Sequence, residues 1–172
     1  VGASMGGAAA IDFALTHPNA VKKLVLIDSV GYTGPPEYVQ FLFPPLDYVA
    51  VEYLRQRKLK ALEISTLTNA APALLDLLRC SLLHTEMAGW HDSMIAFTKS
   101  GGYGFLADRI RQITQPTLIL WGESDDVLGT ADADRFHREI ANSRLIWIQN
   151  CKHVPQIEQP EATAHYISEF GF

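Results

Sequence analysis

The spacing of apolar positions changes character several times along the chain. Between Ser4 and about Thr16, the residues Ala8, Ile11, Phe13, Ala14 and Leu15 fall on one broad face of a helix. Pro18 ends that pattern, since proline lacks the N–H a helical turn requires and disfavours helical geometry in the residue before it. Val21 to Asp28 follows as a β-branched, apolar run of strand length. From Leu24 onward it is continuous rather than alternating, as in a strand covered on both faces. The loop Gly31-Tyr32-Thr33-Gly34-Pro35-Pro36 then breaks the pattern.

From about Glu37 to Ala107 the period is helical. Apolar residues recur at that spacing over Tyr38 to Leu62, Ala71 to Leu83 and Met87 to Phe97, punctuated by Pro44-Pro45 and Pro72. A segment of this length is too long for a simple loop, so it reads as a helical insertion. Gly101-Gly102-Tyr103-Gly104 is not followed by the G-K-[ST] of a phosphate cradle, and reads as the hinge back to the core. Pro116 to Gly122 is a second buried-type strand and Thr130 to Ala141 a helix, with Thr130 or Asp132 as its cap. Ser143 to Gln149 is a third strand and Pro160 to Phe170 a closing helix. Helix and strand alternate outside the insertion, which predicts an α/β class with a parallel sheet. The division is core over 1–31, insertion over 32–107 and core over 108–172. Three strands make a poor parallel sheet, so the N-terminal half of the sheet is expected upstream of Val1.

Composition narrows the function classes. Of 172 residues, 48% are hydrophobic and 19% charged, which excludes a disordered chain. Fourteen Lys and Arg against nineteen Asp and Glu give a net charge of -5, an unfavourable balance for nucleic acid. No apolar run approaches the roughly 18 to 20 residues of a membrane-spanning helix. Cys80 and Cys151 are too few for a disulfide framework or a cysteine metal site. A reduced, cytoplasmic domain is predicted, with any targeting segment upstream of residue 1.

Gly2-Ala3-Ser4-Met5-Gly6 matches G-x-S-x-G, the nucleophile elbow. Small neighbours allow a sharp strand-to-helix turn, which presents the serine hydroxyl at a helix N-terminus where backbone N–H groups favour negative charge. The N–H of Met5 would be one oxyanion-hole donor. Asp125 follows the strand ending Trp121-Gly122, and His153 follows the next strand. The chain order Ser, acid, His, each at a strand end, suits a triad in which His153 is general base and Asp125 orients it. His17, His84, His91, His137 and His165 read as surface or packed residues. His84 and His91 lie seven apart and could share a face toward a substrate, but they lack a third metal ligand. Cys151 reads as a buried structural thiol.

With these pieces in place the chain resembles the C-terminal portion of an α/β-hydrolase-fold protein. The resemblance rests on Gly2 to Gly7, Leu24 to Asp28, Ile113 to Asp125 and Cys151 to Pro160. Within that superfamily it is similar to the capped group of carbon–carbon bond hydrolases, dehalogenases, epoxide hydrolases and small-ester esterases. A serine at position 4 argues against the branches with an aspartate nucleophile. The resemblance implies a parallel sheet flanked by helices, with the helical insertion as a cap. Family spacing favours Asp125 over Asp126 as the acid, and leaves Asp28 as a minor candidate for a relocated one. It places a second oxyanion donor, and the strand that feeds the elbow, before Val1. Lys152 and Gly129 depart from the family pattern, standing where Gly and Pro are common. The implied function is hydrolysis of a small, fairly apolar ester, or a related acyl or carbon–carbon bond, with the chain by itself expected to be inactive. Trp90, Met94 and Phe97 of the cap are candidate pocket residues. No cofactor or metal is implied, and the partner is a small-molecule substrate. The alternative is a non-catalytic small-molecule receptor on the same scaffold.

Overall fold

A computed structural model describes residues 1–34 and 37–171. Pro35 and Pro36 of the predicted loop lie outside the described residues. The chain divides into two compact units, Val1–Gly34 with Tyr103–Phe172, and Pro35–Gly102.

The first unit is built on a parallel sheet. Its strands are β1 (Gly2–Ala3), β2 (Leu24–Ile27), β3 (Thr117–Gly122) and β4 (Ser143–Ile148), in the order β1-β2-β3-β4. Leu24 is level with Thr117 and Ile27 with Leu120, and Thr117 in turn pairs with Ser143. The continuous apolar runs behave as strands buried on both faces. Leu24, Leu26, Ile119 and Trp121 point to one side, where they pack with α1 (Met5–Thr16) and α5 (Ala131–Glu139) through Ile11 and Phe136. Val25, Ile27, Leu118 and Leu120 point to the other, against Ile148, Cys151 and residues of α7 (Pro160–Glu169) such as Ile167. Burying a side chain of this size contributes about 1.5–3 kcal/mol, so this two-sided core supplies the unit's main driving force. Strands β2 and β3 are buried at every position, whereas β4 is mostly half-buried.

The strand count corrects the sequence reading. Three strands and a wholly absent elbow strand are expected, yet Gly2 and Ala3 pair with Leu26 and Ile27 as a fourth. Glycine and alanine carry little strand propensity, which hid this element inside the motif. Strand β2 starts at Leu24 rather than Val21, and the Lys23 ammonium turns away to donate to the carbonyls of Phe170 and Gly171.

The second unit is helical, with α2 (Leu46–Leu67), α3 (Pro72–Leu83) and α4 (Trp90–Lys99). The first predicted helix begins later than Tyr38, because Glu37–Phe41 is a separate 3₁₀ turn and Pro44-Pro45 stands before α2. Helix α4 starts after Gly89, whose φ of 78 is left-handed. The unit is tied by Lys99 to Asp47 at 2.7 Å, and by Glu52 to the His91 ring at 2.8 Å. No helix among the described residues is long and apolar enough to cross a membrane.

Gly122 shows how tightly the C-terminal edge of the sheet is packed. A Cβ there would collide with the carbonyl of Lys152 and sit 2.9 Å from that of Cys151, all of it backbone that cannot swing aside. Gly122→Ala should therefore destabilise the protein by about 1–3 kcal/mol. Thermal denaturation followed by circular dichroism checks this; an unchanged midpoint would mean that the β3 and β4 loops are not packed this closely.

Candidate active site

All four strands run the same way, so the turns that follow them emerge at one edge of the sheet, where open α/β sheets carry their sites. The first of these turns contains Ser4. Its φ of 50 and ψ of -123 lie where a non-glycine residue is strained, at a cost of order 1–3 kcal/mol. Three backbone hydrogen bonds hold it there. The Ser4 N–H donates to Ile27 O at 2.9 Å, and the N–H groups of Gly7 and Val30 each donate to Ser4 O at 3.0 Å. Ser4 occupies the N-cap of α1 but makes no side-chain cap bond, which leaves its hydroxyl available elsewhere. Met5 is the first residue of α1, where the leading N–H groups have no acceptor within the helix.

The elbow's small residues are not equivalent. A Cβ on Gly2 would run into the backbone of Gly6 and Gly7, as the steric reading of the motif requires. A Cβ on Gly6 would meet nothing within 4 Å, whereas one on Gly7 would strike the Ser29 side chain. Close packing thus falls on Gly2 and Gly7, and the motif's second glycine is not constrained by its neighbours.

Asp125 sits in the turn after β3. Its side chain is fully buried, and Oδ1 accepts N–H bonds from Val127 at 2.8 Å and Leu128 at 3.0 Å. Its other oxygen, Oδ2, lies 2.9 Å from Nδ1 of His153, while His153 Nε2 lies 3.0 Å from Ser4 Oγ. A carboxylate only accepts, so the proton of a neutral ring belongs on Nδ1, and Nε2 is left to accept from the serine hydroxyl. The rival acid has another partner: Asp126 Oδ2 takes the Lys152 ammonium at 2.7 Å, on the surface. That hydrogen bond holds the Asp126 carboxyl below its usual range and raises Lys152. Lys152, unusual for its position, therefore occupies the neighbouring aspartate.

The histidine turn is held by two carboxylates that sequence patterns did not single out. Glu158, at the end of the short helix α6 (Pro155–Glu158), accepts the N–H of Lys152 at 3.0 Å through Oε2 and of Val154 at 3.1 Å through Oε1. His153 lies between those two anchored amides. Glu123 Oε1 accepts the Asn150 N–H at 2.7 Å, at a residue whose φ of 52 makes the turn. A hydrophobic residue, then Glu or Gln one turn along, is the only signal, and a four-residue helix is too short for periodicity to reveal. Trp121 adds a third tie, its indole N–H donating to Gly129 O at 2.9 Å where the acid loop ends.

Asp28, entirely buried after β2, completes the cluster. One oxygen each from Asp28 and Asp125 and one ring nitrogen of His153 lie within 4.8 Å of one another. This is the one grouping among the described residues with enough donors for a cation, but both nitrogens of His153 are already engaged by Asp125 and Ser4. A metal would have to break one of those contacts. The remaining histidines have other partners. His91 stacks on Tyr48 with centroids 4.4 Å apart and pairs with Glu52, while His84 lies 6.0 Å from Trp90. His17 and His137 bond to Thr16 and Ser143. Cys151 is buried as expected, and burial pushes its thiol up to about 12. Trp90, Met94 and Phe97 lie half-buried on α4 of the helical unit. A cavity of about 440 Å³ within that unit is lined instead by residues such as Leu42, Val51, Leu54 and Ile95.

Residues 1–166 match the model of the alpha/beta hydrolase family. The chain belongs to that family. It is 31% identical over 173 residues to the alpha/beta hydrolase domain-containing protein VTE7 of Arabidopsis thaliana, covering 99% of this chain and 52% of that protein. It is 28% identical over 183 residues to human monoacylglycerol lipase ABHD6, covering 99% and 53%. Its fold matches a thermophilic esterase from Thermogutta terrifontis with a TM-score of 0.67 at 22% identity, covering 98% of this chain and 62% of that one. The chain spans about half the length of the curated relatives it matches. The parallel sheet between helices is that of the hydrolase fold.

Glu158 yields a local prediction. Glu158→Ala should speed hydrogen exchange at the amides of Lys152 and Val154 about fivefold, equivalent to about 1 kcal/mol for a solvent-exposed pair of bonds. The Val127 and Leu128 amides should not change. Equal exchange in variant and parent would show that the carboxylate does not anchor the turn.

Proposed function

We propose that the protein is a serine hydrolase that cleaves a small, fairly apolar ester through Ser4, His153 and Asp125. The observation that carries this is the unbroken relay from Ser4 Oγ to Nε2 at 3.0 Å and from Nδ1 to a buried Asp125 oxygen at 2.9 Å. Membership of the alpha/beta hydrolase family and the likeness to a relative named as a lipase agree with hydrolysis of an ester.

In this reading Ser4 Oγ attacks the acyl carbon as His153 Nε2 takes its proton. The carbonyl oxygen becomes an oxyanion next to the Met5 N–H at the start of α1. The imidazolium is stabilised by Asp125, then returns the proton to the departing alkoxide, leaving an acyl group on Ser4. Water, deprotonated by the same nitrogen, releases the acid and restores the serine. Asp125 meets its task because its other oxygen is already held by two backbone N–H groups, so it cannot turn away from the ring. Strain at Ser4 serves the same end by aiming the hydroxyl at His153 rather than at its own helix.

Intact-mass analysis of the gene product after fluorophosphonate treatment should show a single adduct, lost in Ser4→Ala. Labelling that survives the substitution would sink the assignment of the nucleophile. Asp125→Asn should lower kcat for a p-nitrophenyl ester by about 10⁴, because the amide favours the wrong tautomer. Asp126→Asn should change it by less than about threefold, since only a surface ion pair is lost. A reversal of these two effects would move the acid to Asp126.

A further inference from the structure

The hydrolase reading leaves one buried carboxyl at the site without a task. Asp28 follows β2 with a φ of 40, in the left-handed region that non-glycine residues seldom occupy. Its N–H donates to Leu120 O at 3.0 Å, and its Oδ1 accepts the Gly122 N–H at 2.9 Å. The side chain therefore bridges the end of β2 to the residue from which the acid turn departs. Its Oδ2 is buried and has no hydrogen-bond partner among the described residues.

Asp28 and Asp125 differ in how well each could carry a charge. Asp125 accepts two backbone N–H bonds and faces the Nδ1 of His153. Asp28 accepts a single N–H and is 0% exposed. Two carboxyls this close in a buried site do not both ionise readily, and the proton goes to the one with fewer donors. The groups facing Asp28 reinforce that division. Asp125 stands on the acid turn and Glu158 on α6, both negative; Cys151 offers a neutral thiol; the His153 ring is already engaged with Asp125.

Building on the hydrolase reading, we propose that Asp28 is a positioning residue of the catalytic assembly that works in its neutral form, holding the strand end beneath Asp125 without adding a second charge beside His153. Burial first, and then the negative charges of Asp125 and Glu158, push its carboxyl up to about 8 against the opposing pull of the Gly122 N–H. The sign of the consequence follows. Below that pH the ring sees one carboxylate and serves as a base. Above it, a second negative charge repels the neighbouring Asp125 carboxylate and disturbs its hold on the ring, so the rate falls. Asp28 thereby sets the alkaline limit of the reaction.

The test is the rate of fluorophosphonate labelling of the intact gene product between pH 5 and 10, for the parent and for Asp28→Asn. The parent should rise from pH 5 to a maximum and then fall with a midpoint of about 8. Asp28→Asn, neutral throughout, should keep the rising limb in place and lose the falling one. A rising limb displaced to lower pH in the variant would mean that Asp28 is charged in the parent, and overturns the proposal. Superimposable profiles overturn it too. A parent that takes no label at any pH overturns the hydrolase reading and this proposal together, whereas a labelled parent with an unchanged variant profile overturns the proposal alone. Should Asp28→Asn fail to fold, the carbon-13 resonance of the Asp28 carboxyl in the parent decides the matter. Titration at about 8 supports the neutral form, and titration below 5 overturns it.

Discussion

Four backbone pairs, Leu24 to Ile27 against Thr117 to Leu120, fix where the rest of the first unit can go. Because β2 and β3 run parallel and in this register, Asp28 and Gly122 leave the sheet at neighbouring points of one edge. Ser4 is hung from the same place, its N–H on Ile27 O and its carbonyl on the N–H of Val30. Strand β4 pairs from Thr117 with Ser143 to Gly122 with Ile148, bringing the histidine turn alongside. A slip of one residue in the central pair would turn Leu26 and Ile119 to the opposite face and separate Ser4 from His153. Two-sided burial makes that slip costly, so the core secures the placement of Ser4, Asp125 and His153 as well as the fold.

Polar anchoring then refines what the register sets. Each of the three turns is tied by backbone N–H groups donating to a fixed oxygen: Ile27 O for the serine, Asp125 Oδ1 for the acid, and the Glu158 and Glu123 carboxylates for the histidine. The acids differ in solvent access, which divides their roles. Asp125 is buried and faces the ring, whereas Asp126, one residue on, is exposed and given to Lys152. A histidine with two fixed partners keeps one tautomer, the pre-organisation that the proposed role of His153 as a base requires.

Much of this was legible in the sequence, for reasons tied to particular residues. Leu24 to Ile27 and Leu118 to Trp121 announce buried strands because every position is apolar, and the helical period of α2 to α4 is long enough to stand out. Ser4, Asp125 and His153 could be placed at strand ends because each directly follows such a run or a glycine turn. Elements without periodicity were hidden: β1 is two small residues, and α6 is only four residues long. Contacts between residues distant in sequence were equally hidden. Nothing in the local pattern around Asp28 says that its carboxyl reaches Gly122, 94 residues away. Spacing favoured Asp125 over Asp126, but that Asp126 is given to Lys152 was hidden, because a one-dimensional reading flags Lys152 as unusual without supplying its partner.

The strained torsion at Ser4 has a consequence for the way such a molecule ages or warms. Its hydroxyl is presented by a conformation the chain would leave if it could, held in place by Ile27 O and Val30 N–H at the end of a strand only four residues long. Any loosening there would let the turn relax toward ordinary helical geometry while the buried strands stay paired. The reactivity proposed for Ser4 would then be lost before structure: on gradual heating the serine should fall silent while the spectroscopic signs of a folded sheet persist.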